Sequence, residues 1–89
     1  MTIQIDPHTL ERARERGASV EQIQDVVRTG VPELARGGRL SKHKVYDYHG
    51  TWKGRFYEQQ MAQAIYMMED DALITVMVVV HYGRWKDAQ

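Results

Sequence analysis

Three side chains near the start of the chain have the composition and spacing expected of a phosphate-binding group. His8, Arg12 and Arg16 follow one another at intervals of four residues, and each interval advances only about 40° around an α-helix, so the three share one helical face. An arginine guanidinium matches the oxygens of a phosphate, and an imidazole can transfer protons near neutral pH. The same face has a simpler interpretation, a solvated surface whose arginines pair with Glu11 and Glu15.

A second candidate group follows the most apolar stretch of the chain. His81 ends that stretch and Arg84 comes three residues later, where a strand would reach the rim of its sheet. His81 could act there as an acid or base, while Arg84 stabilises negative charge in a transition state. The alternative is a half-buried histidine beside a solvated arginine. Lys44 and Tyr57 are either substrate-binding residues, for phosphate contact and base stacking, or ordinary strand surface.

The sequence lacks the patterns that mark metal and cofactor sites. It contains no cysteine, and His43 and His49 are six residues apart, which would separate them by about 20 Å on one strand. Phosphate-binding loops and dinucleotide fingerprints are not found in the chain. The prediction is therefore a protein with no metal and no cofactor.

Two helices are predicted to precede the sheet. Asp6-Pro7 is a typical helix start, since the aspartate can cap free N–H groups and proline fits the first helical position. Gly17 supplies the stop. Ser19 offers a second cap, and the helix that follows it ends at Gly30. His8, Arg12 and Arg16 therefore belong to the first helix.

Strands are predicted for the rest of the chain. A half-exposed strand covers 44–48, and a longer one covers 55–68, although segment 61–64 would also suit a helix. Residues 73–82 are nearly all β-branched or apolar, which predicts a central strand buried on both faces. The predicted fold class is α+β, with two N-terminal helices packed on one face of an antiparallel sheet of three to four strands. A single domain is predicted for residues 1–89.

Charge and hydropathy exclude several classes of protein. Twelve basic and twelve acidic side chains cancel, so no global positive field would gather nucleic acid nonspecifically. The N-terminal segment lacks the features of a signal peptide, and no apolar run is long enough to cross a bilayer. We therefore expect a cytoplasmic protein that makes no membrane contact and is a monomer or a homodimer.

Several short motifs together resemble an uncharacterised family of small bacterial domains of unknown function. They are the start His8-x3-Arg12-x3-Arg16-Gly17, the following segment Ser19 to Ile23, the motif Trp52-x-Gly54-Arg55-x-Tyr57, and the ending Thr75 to Arg84. That family is in turn distantly similar to the RelE-type toxins, whose fold also occurs in barnase-like nucleases and colicin-type toxins. Gln59 and Gln60 depart from the pattern, since they stand where family members tend to carry a lysine.

The resemblance implies a RelE-like fold and metal-independent cleavage of RNA, in which the ribose 2′-hydroxyl attacks the adjacent phosphate. The catalytic residues would be His8, Arg12, Arg16 and His81. The substrate-binding residues would be Lys44, Tyr57 and Arg84. The partner would be RNA or the ribosome, or an acidic protein. This hypothesis requires the four catalytic candidates to meet in one solvent-facing cleft.

Two other hypotheses stay open. The chain could be a noncatalytic protein-binding or dimerising module of a toxin–antitoxin-like or other bacterial system. Such a module would meet its partner through an edge strand and exposed aromatics such as Trp52, Tyr46 and Tyr48. The chain could instead be the neutralising partner of a toxin, which needs an acidic surface that the balanced charge does not favour.

Overall fold

The protein consists of two helices and a five-stranded sheet in a computed structural model that describes residues 2–35, 37 and 39–85. The elements in chain order are β1 (Thr2–Ile5), α1 (Pro7–Glu15), α2 (Val20–Thr29), β2 (Val31–Leu34), β3 (Leu40–Trp52), β4 (Arg55–Glu69) and β5 (Ala72–Gly83). The sheet order is β1-β5-β4-β3-β2. β1 runs parallel to β5, and every other neighbouring pair is antiparallel. The predicted α+β class is confirmed.

The sheet is larger than predicted, and it is mixed. Its two outer strands, β1 and β2, are the additional ones, and each has four residues. Segments this short show too little alternation to be recognised in a sequence. β2 also contains Pro32, which is tolerated because β2 lies at an edge of the sheet and proline need not donate a ladder hydrogen bond there.

Both helices begin where their caps predict. The side chains of Asp6 and Ser19 each accept a hydrogen bond from the backbone N–H three residues later. The first helix stops before Gly17, whose φ of +93° lies in the region that favours glycine. A Cβ at this position would also collide with the hydroxyl of Tyr82. Gly17 is therefore required by both backbone conformation and packing.

The helices cover one face of the sheet. Ala62 and Ala64 on β4 are buried and small, so α2 can approach the sheet closely and bury Ile23 and Val27 against it. Fully burying a side chain such as isoleucine stabilises a fold by about 1.5–3 kcal/mol. The other buried apolar residues of this core are Ala13, Ala18, Val26, Tyr66, Leu73 and Val78.

β5 has one covered face and one open face. Val78 and Val80 belong to the helix side, where they pack in or against the core. Met77 lies on the opposite face and is 45% exposed. The prediction that this strand is buried on both faces is therefore wrong. The cause is that no element among the described residues covers the second face, which we call the open face.

β1 covers only the first part of the outer edge of β5. It pairs with residues 72–75, and no other described strand pairs with this edge, so we call the remainder of it the unpaired edge. Just beyond this point Val76 is an extra residue, because Tyr66 pairs with Thr75 and Ile65 pairs with Met77. Such a β-bulge disrupts the ladder locally, while β4 and β5 stay paired on both sides of it, and bulges are common beside functional sites. α1 contacts β5 and lies beside this unpaired edge.

Candidate functional site

A cavity of about 510 Å³ lies between α1 and the unpaired edge of β5. The helix contributes His8, Thr9, Arg12 and Arg16, and the strand contributes residues 76–80. The side chains at four-residue intervals thus line one cavity, in agreement with their shared helical face. We call this site the α1–β5 cavity.

Side chains of α1 satisfy the backbone of β5 along the cavity wall. Thr9 Oγ1 donates a hydrogen bond to the Val76 carbonyl, and Arg16 Nη1 donates one to the Val78 carbonyl, each at 2.9 Å. These bonds replace the partners that β1 does not supply. They also fix Arg16 at the cavity. Thr9 is a residue that the sequence analysis missed, and its position in the first helical turn was the only available signal.

The carboxylates of the described residues do not pair with Arg12 or Arg16. In the described ranges neither arginine forms an ion pair, so the alternative in which they pair with Glu11 and Glu15 is not what the structure shows. Each guanidinium has five N–H donors, of which the bonds to protein atoms use few. Two such groups on one cavity can bind an anion such as phosphate.

Arg12 orients the imidazole of His8 through one of its ring nitrogens. Arg12 Nε donates a hydrogen bond to His8 Nε2 at 3.2 Å, and a nitrogen that accepts a hydrogen bond carries a lone pair instead of a proton. The side chain is also exposed, so protons can exchange with solvent. A neutral imidazole beside an anion-binding pair can accept a proton from a bound molecule.

His81 lies outside the α1–β5 cavity. It pairs with Met61 across the sheet. Its neighbour Val80 packs against the core, and its other neighbour Tyr82 donates a hydrogen bond to the Arg16 carbonyl at 2.7 Å, so both lie on the helix side. Because side chains alternate along a strand, His81 projects from the open face. The four catalytic candidates therefore do not meet in one cleft.

Lys44 belongs to a separate polar group, the Asp25 cluster, formed by Asp25, Thr29, Lys44 and Tyr46. Lys44 Nζ lies 2.8 Å from both Asp25 Oδ2 and Thr29 Oγ1, and Tyr46 donates to the same Asp25 oxygen at 2.7 Å. The hydrogen bonds from Lys44 and then Tyr46 lower the pKa of the Asp25 carboxyl. Burial, followed by the bond to Asp25, raises the pKa of Tyr46. Lys44 is thus engaged within the protein and does not line the cavity.

Tyr57 and Arg84 lie together at the end of the sheet near the β3–β4 turn. Both line a shallow pocket of about 270 Å³. The ring of Tyr57 is 5.6 Å from that of Tyr82, and the Tyr82 hydroxyl reaches the carbonyl of Arg16. Tyr82, which the sequence analysis did not single out, therefore connects this end of the sheet to the α1–β5 cavity.

The aromatic residues considered for an exposed interface pack within the protein. Trp52 stacks on Tyr82 with ring centroids 4.9 Å apart, and Tyr48 meets the same ring edge-on at 5.1 Å. Burial raises the pKa of the Tyr82 hydroxyl at the centre of this group. Tyr46 is bonded to Asp25. These rings stabilise the sheet end instead of forming a free surface.

Metal ligands and membrane-spanning features were sought in the same described ranges. No three histidine or carboxylate side chains there are grouped so that they could hold a metal ion. Neither α1 nor α2 has the length and apolarity to cross a bilayer.

Comparison with known proteins provides no relative to guide the interpretation. No protein family, curated protein or solved structure matches this chain. Function is therefore inferred from the geometry of the α1–β5 cavity and its surroundings.

Proposed function

We propose that this domain is a RelE-like, metal-independent ribonuclease whose active site is the α1–β5 cavity. The observation that supports this function is the lining of one cavity by His8, Arg12 and Arg16, which places an imidazole beside two guanidiniums. A phosphodiester carries the negative charge that the guanidiniums would bind. The neighbouring ribose hydroxyl carries a proton that the imidazole could take.

In the proposed complex an RNA phosphate lies between the two arginines. Arg16 is fixed by its bond to the Val78 carbonyl, so it provides a preset contact. Arg12 can exchange its bond to His8 for a bond to a phosphate oxygen. This exchange frees the lone pair on His8 Nε2 when substrate binds, so the base becomes available only in the occupied site.

His8 Nε2 then removes the proton of the 2′-hydroxyl, and O2′ attacks the adjacent phosphorus. The bond between phosphorus and O5′ breaks and leaves a 2′,3′-cyclic phosphate. The departing O5′ takes a proton from the His8 imidazolium or from water, so no net proton is gained or lost. The guanidiniums stabilise the additional negative charge of the transition state. His81 has no part in this reaction because it projects from the open face.

Cleavage of a short single-stranded RNA in excess EDTA, with and without ribosomes, tests the proposal. Loss of a general base lowers a rate by roughly 10²–10⁴-fold, so we expect His8→Ala to lose activity by that factor. His81→Ala is the matched control, since it removes an imidazole from the other face, and it should cleave at the native rate. Equal activity of His8→Ala and the native protein, or no cleavage by the native protein under either condition, would contradict the proposal.

A second candidate function, a protein-binding or dimerising module, is favoured by the open face. Met67 and Met77 on this face are each 45% exposed, and Ile65 pairs with Met77. Apolar surfaces rich in methionine are typical of adaptable protein interfaces. If a second copy covers the face, Met77→Glu should convert a dimer to a monomer in sedimentation. An acidic protein partner would instead cover the guanidiniums of the cavity.

A further inference from the structure

The β3–β4 hairpin ends in a tight turn beside an uncovered aromatic ring. Trp52 pairs with Arg55, so Lys53 and Gly54 form a two-residue turn, with φ values of 51° and 83°. A turn in which both residues have positive φ holds the end of a hairpin in a defined shape. Phe56, the next residue of β4, is 59% exposed. A large flat apolar surface thus faces solvent at a fixed position.

The cations next to Phe56 are held by aromatic rings. Lys53 Nζ lies 5.8 Å from the centre of the Trp52 ring, and the guanidinium carbon of Arg55 lies 5.8 Å from that of Tyr57. In the described part of the chain neither cation forms an ion pair. A cation–π contact positions the charge but leaves its N–H donors available. Both cations can therefore bind phosphate.

Arg84 adds a third cation across from the turn. Its side chain is 77% exposed, and its Nε lies 3.0 Å from Glu58 Oε2, whereas its Nη groups form no ion pair within the described part of the chain. Glu58 is the one acidic residue among the described residues that line the pocket at this end. Phe56 alternates with Arg55 and Tyr57 along β4, so these residues line the pocket from the two sides of the β4 edge that extends beyond the pairing of Gln59 with Gly83. We call the group of Lys53, Arg55, Phe56, Tyr57 and Arg84 around this edge the hairpin-end surface. Its positive charge, together with the exposed ring of Phe56, is the combination by which proteins bind single-stranded nucleic acid.

The hairpin-end surface and the α1–β5 cavity are walled by the same strand. Val80 lines the cavity and Gly83 lines the pocket at the hairpin end, and three residues of a strand span roughly 10 Å. Tyr82 lies between them and contacts both Tyr57 and the Arg16 carbonyl. A strand of RNA that leaves the cavity in this direction reaches the hairpin-end surface next.

We infer that the hairpin-end surface binds the unpaired nucleotides that flank the cleaved phosphate, with Phe56 as a stacking platform for a base. This inference rests on the proposed function, because it takes the cavity as the place where the phosphate is held. Its ligand class is single-stranded RNA, since a duplex hides the faces of its bases. The cations would contact the phosphates on either side of the stacked base.

Binding of a fluorescein-labelled single-stranded RNA, measured by anisotropy, tests the inference. Removing the ring on which a base stacks raises Kd roughly five- to hundred-fold, so Phe56→Ala should weaken binding by that factor. Phe56→Trp keeps a stacking ring and should bind nearly as the native protein does. Leu34→Ala is the control, because Leu34 is 82% exposed on β2 at the opposite edge of the sheet, and its Kd should not change. Equal Kd values for Phe56→Ala and the native protein would overturn the inference.

Cleavage measured on the same RNA separates this inference from the proposed function. If cleavage depends on His8 but the Kd does not depend on Phe56, the inference fails and the ribonuclease proposal stands. If the Kd depends on Phe56 but cleavage does not depend on His8, the surface binds RNA and the ribonuclease proposal fails. Substitution of Lys53 and Arg55 by glutamine should also reduce the salt dependence of log Kd, by a slope of about 0.7 for each phosphate that the variant no longer binds. An unchanged slope would count against the phosphate contacts.

Discussion

The α1–β5 cavity and the Asp25 cluster both occur where a helix meets the sheet, and both contain basic side chains. In the Asp25 cluster, Lys44 and Tyr46 share one carboxylate oxygen at hydrogen-bond distance. In the cavity, Arg12 and Arg16 have no carboxylate partner among the described residues. The first group satisfies its charges within the protein, whereas the second leaves donors for a ligand.

This difference shows that the type of a side chain does not decide its role. Lys44 and Arg12 are both cations on the helix side of the sheet, and both suit phosphate binding by residue type alone. Lys44 is paired because α2 places Asp25 opposite it. Arg12 has no carboxylate partner among the described residues because the neighbouring strand presents its backbone, valines and Met77 to it. We therefore expect substitutions in the two groups to affect different properties.

The largest expected effect on stability is at Gly17, which directly follows the cavity residue Arg16. Gly17→Ala forces alanine into a positive φ and drives its Cβ into the Tyr82 hydroxyl, so it should lower the free energy of unfolding by about 2–4 kcal/mol. Gly54→Ala is the matched control, because Gly54 has a φ of +83° but an added Cβ meets nothing within 4 Å. Its cost should be about 1–2 kcal/mol. Denaturant unfolding that gave equal losses would show that the Tyr82 contact does not restrict this position.

The next largest effect is expected from substituting one cation in each group, Arg12 in the α1–β5 cavity and Lys44 in the Asp25 cluster. If the α1–β5 cavity binds RNA as proposed, Arg12→Gln should remove charge-assisted hydrogen bonds worth about 1.5–3 kcal/mol and raise the Kd for RNA roughly ten- to hundred-fold. Lys44→Gln removes one positive charge from the Asp25 cluster, so it should lower the thermal midpoint and leave the RNA affinity unchanged. Anisotropy titrations and thermal melts of both variants measure this difference. If the two substitutions weakened RNA binding equally, the distinction between an open and a satisfied group would be wrong.

A smaller effect is expected within the Asp25 cluster itself. Tyr46→Phe removes the hydroxyl that donates to Asp25 at 2.7 Å, and loss of one such bond costs about 0.5–1.5 kcal/mol. Tyr48→Phe serves as a control, since its hydroxyl contacts the Thr51 carbonyl at 3.3 Å in an exposed position. Urea unfolding should show a smaller loss for Tyr48→Phe. If Tyr46→Phe had the same unfolding free energy as the native protein, the hydrogen bond from Tyr46 to Asp25 would not contribute to stability.

The smallest expected effect is the change with pH in the free energy of unfolding that the Asp25 cluster contributes. The Asp25 carboxyl has a lower pKa in the folded protein than its ordinary value of 3.8, so the unfolded chain binds the proton more readily. The stability that Asp25 contributes is present above pH 3.8 and is lost as the pH falls through the lower folded value. Asp25→Asn should flatten this acid-side change in unfolding free energy. An identical acid profile in the variant would show that other carboxyls account for it.

Tyr46 gives the opposite sign at alkaline pH. Its folded pKa is raised above the ordinary value of 10.0, so its contribution to stability is full below pH 10 and declines as the pH rises further. Tyr46→Phe should remove this alkaline decline. The acid and alkaline limbs of one stability profile therefore report on two members of the same cluster.

The sequence by itself determined the two helices and the long strands of this protein, but not the four-residue strands β1 and β2. The caps at Asp6 and Ser19, the stop at Gly17, and the spacing of His8, Arg12 and Arg16 were readable because each depends on residues within a few positions of one another. The strand over 55–68 was also predicted, and β4 covers Arg55–Glu69. Alternation and turn residues are likewise local signals.

Only the tertiary structure decided which elements pack together and which neighbours each side chain has. The parallel pairing of β1 with β5 joins residues about seventy positions apart, and no local pattern encodes a contact over that distance. That pairing stops at Thr75, which leaves the edge that forms the cavity. The β-bulge at Val76 shifts the alternation along β5 and so placed His81 on the open face. The approach of α2 gave Lys44 its carboxylate. Whether a cation is available to a ligand is a property of its neighbours in space, and these are fixed when the chain folds.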